Sequence, residues 1–288
     1  MSIFEKTKTT YVNAPNQFVE AANGVKYAHR RYGKSGGVPL ILFQHFRGNL
    51  DNWDPALVDT LAAEREVIAF DNTGVALSSG VTPNSVTQMA RDAIVFIEAL
   101  KLDRVDVLGF SLGGFVAQEV ALLRPYLVRK LILAGTGPQG GPQMHGWRQD
   151  IADAARKPAP GAEEMLYIFF KHTETSQAKG GEFLGRFMQR QADRDAASSM
   201  ATVNAHYDAV VEWGVPDHNK LQRLAAIKQP TFVANGDDDL MIPPRLTHLL
   251  GALIPNAEVK IYPDAGHGFL FQHAAEFGGD VNKFLDRA

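Results

Sequence analysis

The 288-residue chain has no cysteine. Disulfides, thiolate metal sites and a cysteine nucleophile are thereby excluded, and a reducing compartment fits. There is no apolar run long enough to span a bilayer, so no membrane partner is expected. There is no basic run either: 29 Lys and Arg stand scattered against 32 Asp and Glu, for a net charge of −3. That balance implies no polyanion-binding surface, and no nucleic-acid partner is expected. No Gly-x-Gly-x-x-Gly follows a strand pattern, which argues against a nucleotide cofactor. No His and Asp cluster has metal-ligand spacing, so no metal is expected. The stretch Met1 to Lys8 lacks the apolar core of a secretory leader, so a soluble, cytoplasmic protein is expected.

What is present is ordinary globular material, 45% hydrophobic and 21% charged, ample for one large core. Short apolar runs alternate with helical patterns. Asn23-Gly24 between two alternating segments reads as a hairpin turn. Pro39 to Phe43, Glu66 to Phe70, Val105 to Leu108, Arg129 to Ala134, Pro230 to Ala234 and Glu258 to Tyr262 read as strands, Pro39 to Phe43 and Val105 to Leu108 as buried ones. Ser85 to Leu100 reads as a helix with Met89, Ala93, Phe96, Ile97 and Leu100 on one side. Strands alternating with helices imply a mostly parallel, doubly wound α/β sheet.

Between a strand pattern and a helix pattern stands Gly109-Phe110-Ser111-Leu112-Gly113, a match to G-x-S-x-G. A nucleophilic serine must be thrust from a sharp strand-to-helix turn. Its strained backbone leaves no room for side chains two residues either side. Helix amides beneath the serine then point to where negative charge forms. A serine hydroxyl also needs a base, and the base needs an acid to orient it. Among nine histidines, His267 follows the last strand pattern, with Gly266 and Gly268 letting its loop fold back toward Ser111. Three carboxylates, Asp237, Asp238 and Asp239, end the preceding strand pattern.

On these residues the sequence resembles the α/β-hydrolase superfamily, and the likeness extends over most of the chain. The loop and tail look most like those of capped carboxylesterase and cofactor-free haloperoxidase-type members. Gly236 to Asp239 to Pro243 fits the family pattern Gly-x-x-Asp-x-x-x-Pro, which implies Asp239 as the acid rather than Asp237. The order Ser111, Asp239, His267 is the superfamily order. The loop Gln44-His45-Phe46-Arg47-Gly48 fits the family's oxyanion loop, with Phe46 where glycine is usual. The resemblance therefore implies backbone donors at Leu112 and at Phe46 or Arg47. Asp71, in a loop that keeps most of the pattern Asp-x-x-Gly-x-Gly-x-Ser, is read as structural.

From Gln139 to about Val215 the pattern is helical, with breakers at Gly140-Gly141-Pro142 and Pro158-Ala159-Pro160-Gly161. The family commonly inserts a helical cap here. The division expected is a core of 1–136 and 216–288 with a cap of 137–215. Phe46, Trp147, Phe169, Met241 and Phe269 are assigned to the substrate pocket, with cap-to-core packing as the competing role for the cap aromatics. The implied activity is hydrolysis of a small ester through an acyl-enzyme on Ser111, without cofactor. The same triad also serves haloperoxidase or perhydrolase, C–C hydrolase, acyltransferase and lyase chemistry, and a slow-turnover ligand receptor. A small-molecule substrate is the expected partner, and a homodimer is left open.

Overall fold

Gly24 takes a φ of +76° and closes a hairpin between β1 (Gln17–Glu20) and β2 (Lys26–Gly33), the positive φ that the Asn-Gly pair supplies. This is the first feature of the computed structural model, which describes residues 9–287. Residues 1–8, on which the leader reading falls, lie outside the described residues.

The elements then alternate. β3 (Leu40–Phe43) leads to α1 (Pro55–Ala62), β4 (Glu66–Phe70) to α2 (Val86–Ala99), and β5 (Val105–Phe110) to α3 (Leu112–Leu123). Ser85 caps α2, its side chain accepting from the Gln88 amide, so the helix starts one residue later than the periodicity suggests. β6 (Val128–Ala134) opens a long helical segment: α4 (Gln149–Arg156), α5 (Ala162–Phe169), α6 (Glu174–Phe187), α7 (Met200–Trp213) and α8 (His218–Gln222). The sheet resumes with β7 (Thr231–Gly236), α9 (Pro244–Leu253) and β8 (Ala257–Tyr262), then closes with α10 (Phe269–Gln272) and α11 (Ala274–Asp286).

Eight strands form one sheet in the order β1-β2-β4-β3-β5-β6-β7-β8. The two β2 pairings are antiparallel and β3 to β8 run parallel. β3 shows why: its four residues are all fully or nearly fully buried. Ile41 and Phe43 pack into the core on one face of the sheet, Leu40 and Leu42 into that on the other. A buried acid in the central strand, Asp106, accepts from Arg129 Nη2 and Nε at 2.5 and 2.8 Å. No helix among the described residues is long and apolar enough to cross a membrane.

All six β3 to β8 strands point their C-terminal ends the same way. That edge gathers the loops after β3, β5, β7 and β8, and the helical segment lies against it.

Candidate active site

Ser111 sits between β5 and α3 at φ +56°, ψ −120°, a backbone conformation that an L residue holds only under strain. A Cβ on Gly109 would lie 2.3 Å from the Gly113 carbonyl oxygen, and one on Gly113 would lie 2.1 Å from that of Phe43. The spacing rule thus has a steric cause at both positions. Gly114, which the motif does not cover, is equally constrained: a Cβ there would meet Thr136 at 2.5 Å. The turn is tied to β6, with Ser111 N–H donating to Ala134 at 2.9 Å and Thr136 Oγ1 to the Ser111 carbonyl at 2.9 Å. α3 begins at Leu112, so its first free amides stand directly after the serine.

Asp239 follows β7 and His267 follows β8. His267 Nδ1 and Asp239 Oδ2 are 2.7 Å apart, both side chains out of solvent. Asp239 Oδ1 accepts from the Met241 and Ile242 amides at 2.8 and 2.9 Å, so the carboxylate is fixed as an acceptor. Nδ1 must then carry the imidazole proton, which leaves the Nε2 lone pair free. Asp237 and Asp238 are exposed. Asp237 accepts from the Asp264 and Ala265 amides and from Lys171, and does not reach the histidine.

The glycines beside His267 have a different purpose from the one expected. Neither has a positive φ. A Cβ on Gly266 would lie 2.9 Å from the Phe169 carbonyl oxygen, and one on Gly268 would lie 2.8 Å from Phe169 Cβ. They admit the end of α5, whose Phe169 ring stacks on His267 at 5.8 Å and 14°. Phe110 covers the ring at 5.0 Å.

A cavity of about 380 Å³ opens beside these groups. Ser111, His267, Phe46, Phe169, Met241 and Ile168 line it. Trp147 borders a smaller recess that also touches Ser111, and stands edge-on to Phe46 at 5.1 Å. Phe269 departs from the expectation that it walls the pocket. It opens α10 and is not among the residues that line the cavity; its fully buried ring packs on Tyr262 and Phe277 at 5.2 and 5.3 Å. Phe170 and Phe183 likewise pack into the core, while Phe187 reaches the cavity.

The choice left open between Phe46 and Arg47 is separated by geometry. Arg47 N–H donates to His206 Nδ1 at 3.0 Å, whereas Phe46 N–H has no acceptor among the described residues. The peptide that carries it is fixed by the His45 carbonyl accepting from Gly48 N–H at 3.0 Å. His45 Nδ1 donates to the Phe46 carbonyl at 2.8 Å. Burial pushes the His45 pKa down to about 3, so the ring is neutral.

Sequence reasoning did not find the carboxylates on the cavity wall, Asp51, paired with Arg30 at 2.7 Å, and Asp195. Burial, then the charge of Asp51, pushes Asp195 up to about 6. Asp71, read as structural, accepts from Leu50 N–H at 2.8 Å. Burial and the facing Asp195 carboxylate raise its pKa well above the ordinary value. No motif surrounds Asp195, so only its position in space reveals the pair.

With this geometry in hand, similarity to known proteins is informative. The alpha/beta hydrolase fold family matches residues 38–274. A putative carbamate hydrolase RutD from Rhizobium rhizogenes is 25% identical over 263 residues, covering 85% of this chain and 92% of that protein. A non-heme haloperoxidase from Rhodococcus erythropolis is 26% identical over 284 residues, covering 93% and 99%. Among solved structures, an alpha/beta hydrolase fold protein from Chitinophaga pinensis superposes with a TM-score of 0.91 at 39% identity, covering 97% and 100%. The chain belongs to the α/β-hydrolase family. It is an enzyme, a hydrolase, with the haloperoxidase-like likeness that its loops suggested.

Proposed function

We propose that the protein is a serine hydrolase that cleaves a small ester-type substrate through an acyl-enzyme on Ser111. The observation that supports this most is the buried His267–Asp239 bond at 2.7 Å, on the same cavity as a serine held in a strained turn. In this reading Ser111 Oγ attacks the carbonyl carbon and gives its proton to His267 Nε2. The Leu112 and Phe46 amides donate to the oxyanion that forms. The leaving alcohol takes the proton from His267, and the acyl group stays on Ser111. Water then attacks that ester, passing a proton to His267, which returns it to Ser111 Oγ as the Ser111–acyl bond breaks and the carboxylic acid departs. Asp239 keeps the proton on Nδ1 and offsets the charge of the imidazolium. The Ser111 hydroxyl makes no hydrogen bond to a described residue here, so it turns toward His267 as the ester seats.

The segment 137–215 acts as the cap in this reading. It contributes Ile168 and Phe169 as cavity wall but no member of the triad. The apolar lining favours an apolar acyl or alcohol group. A second reading rests on the likeness to the haloperoxidase: peroxide in place of water on the same acyl-enzyme would release a peracid.

The test is turnover of short-chain aryl esters by the purified protein without additives. Good leaving groups demand little beyond nucleophile and oxyanion donors, so hydrolysis is expected. Folded protein that hydrolyses no activated ester between about pH 5.5 and 8 would favour a receptor and refute the proposal.

A further inference from the structure

Arg47 is a residue of the β3 loop, yet every one of its hydrogen bonds goes to the helical segment. Its N–H donates to His206 Nδ1 in α7 at 3.0 Å. Its carbonyl accepts from Ser198 Oγ at 2.7 Å. Its guanidinium donates to the carbonyls of Ala155, Lys157 and Pro158, at 3.2, 2.7 and 3.2 Å, where α4 ends. Three separate stretches of the segment thus converge on one residue. Arg47 also holds a φ of +53°, a left-handed backbone that a non-glycine residue keeps only when its surroundings impose it.

His206 shows the same constraint from the other side. It is fully buried, and burial pushes its pKa down to about 4, so the ring is neutral. Nδ1 accepts from Arg47, so the proton must sit on Nε2. Nε2 is buried without a partner among the described residues. A buried donor left unpaired is rare and destabilising. Here it accompanies the one tautomer that can hold the Arg47 peptide.

The next residue back is Phe46, whose free N–H is the second oxyanion donor in the serine-hydrolase reading, on which this inference rests. We propose that Arg47 is a positioning residue that couples docking of the helical segment to the oxyanion site. Its bonds to α4, Ser198 and α7 fix the Phe46–Arg47 peptide, while the Gly48 N–H holds the His45 carbonyl on the other side, so Arg47 pins one of the two peptides that flank Phe46 and with it the placement of the Phe46 N–H. Undocking the segment leaves the Gly48 bond as the remaining tie on that side of the loop, and lets the donor shift from its place. Docking of the segment and oxyanion stabilisation are therefore linked through one residue whose hydrogen bonds go to the segment and not to the triad.

The experiment uses p-nitrophenyl acetate, whose acetyl group is small beside the cavity of about 380 Å³. Wild type, Arg47→Asn, Arg47→Lys and Ser198→Ala are compared by kcat and KM per serine titrated with a fluorophosphonate. Affinity for an aryl trifluoromethyl ketone, whose adduct places an oxyanion in the hole, is measured alongside. Asn tolerates the left-handed backbone but cannot reach α4. Outright loss of an oxyanion donor costs on the order of 10²–10³ in kcat, so misplacing one should cost roughly 10- to 100-fold. The expected result is that fall for Arg47→Asn with KM little changed and ketone affinity falling in parallel. Arg47→Lys should recover part of it, and Ser198→Ala should lose less than Arg47→Asn. An Arg47→Asn enzyme with wild-type kcat, or one altered in KM alone, overturns the proposal. If Arg47→Asn does not fold, wild-type kcat in both Arg47→Lys and Ser198→Ala overturns it, and a graded fall supports it. A wild type that neither turns over the ester nor takes the label refutes the serine-hydrolase reading and this proposal with it. An active wild type beside an unaffected Arg47→Asn refutes this proposal alone.

Discussion

Replacing Asp239 by asparagine probes the triad at its most constrained atom. Asp239 Oδ1 already accepts from the Met241 and Ile242 amides at 2.8 and 2.9 Å. An asparagine must keep its oxygen there, because turning the NH₂ toward two N–H donors would leave both unpaired. The NH₂ therefore faces His267 Nδ1, 2.7 Å from the position of Oδ2. It can only donate, so Nδ1 becomes the acceptor and the ring proton moves to Nε2. Nε2 then has no lone pair for the Ser111 proton. The fold is hardly altered, yet the base is in the wrong tautomer. The corresponding change in the serine proteases lowers kcat by about 10⁴, equivalent to about 5.5 kcal/mol of barrier, and a fall of that order is expected here. The assay is kcat on an activated ester, normalised to folded protein. Asp237→Asn is the control: Asp237 is exposed and bonded to Lys171 and two loop amides, so it should cost less than about tenfold. An Asp239→Asn enzyme within tenfold of wild type, or a larger loss in Asp237→Asn, would refute the reasoning.

Other consequences are as direct. Gly113→Ala puts a methyl group 2.1 Å from the Phe43 carbonyl oxygen in β3, so backbone must move; loss of several kcal/mol in urea unfolding is expected, and wild-type stability would contradict the steric account. Asp195 is raised to about 6 by burial and by Asp51. The folded state therefore retains a proton that the unfolded chain releases from about pH 4, and stability falls as pH rises through that window. Asp195→Asn should accordingly raise Tm by a few degrees near pH 8 and leave it unchanged below about pH 4; a gain at both values would show that ionisation is not the cause. The proposed steps use only Ser111, His267, Asp239 and two amides, so dialysis against EDTA should leave ester turnover intact; loss restored by zinc would mean that a metal carries the reaction.

The strands and the serine were legible because their causes are local. β3 reads as buried from its own four residues, and the Ser111 turn reads from glycines within the same loop. His267 and Asp239 needed the order of strands, since they meet only when β7 and β8 bring their ends together. The choice between Phe46 and Arg47 was closed to any local reading, because it depends on His206, 159 residues away. Phe269 misled for a related reason. Next to a site histidine, an aromatic residue can face the cavity or open the following helix, and only the course of α10 decides. Gly266 and Gly268 were noticed but given the wrong cause, since the α5 end that presses on them comes from the segment with the weakest sequence pattern. Asp195 carried no signal at all; its meaning lies in Asp51 and Asp71, which belong to other loops.

The central claim is that a covalent acyl group forms on Ser111. Mixing the protein with a p-nitrophenyl ester, stopping the reaction in acid within its first turnovers, and mapping the peptides by mass spectrometry tests it directly. The account predicts the acyl mass on the peptide that carries Ser111, and no adduct in Ser111→Ala. Ester hydrolysis that persists in Ser111→Ala, or an adduct on any other residue at wild-type rates, would contradict it.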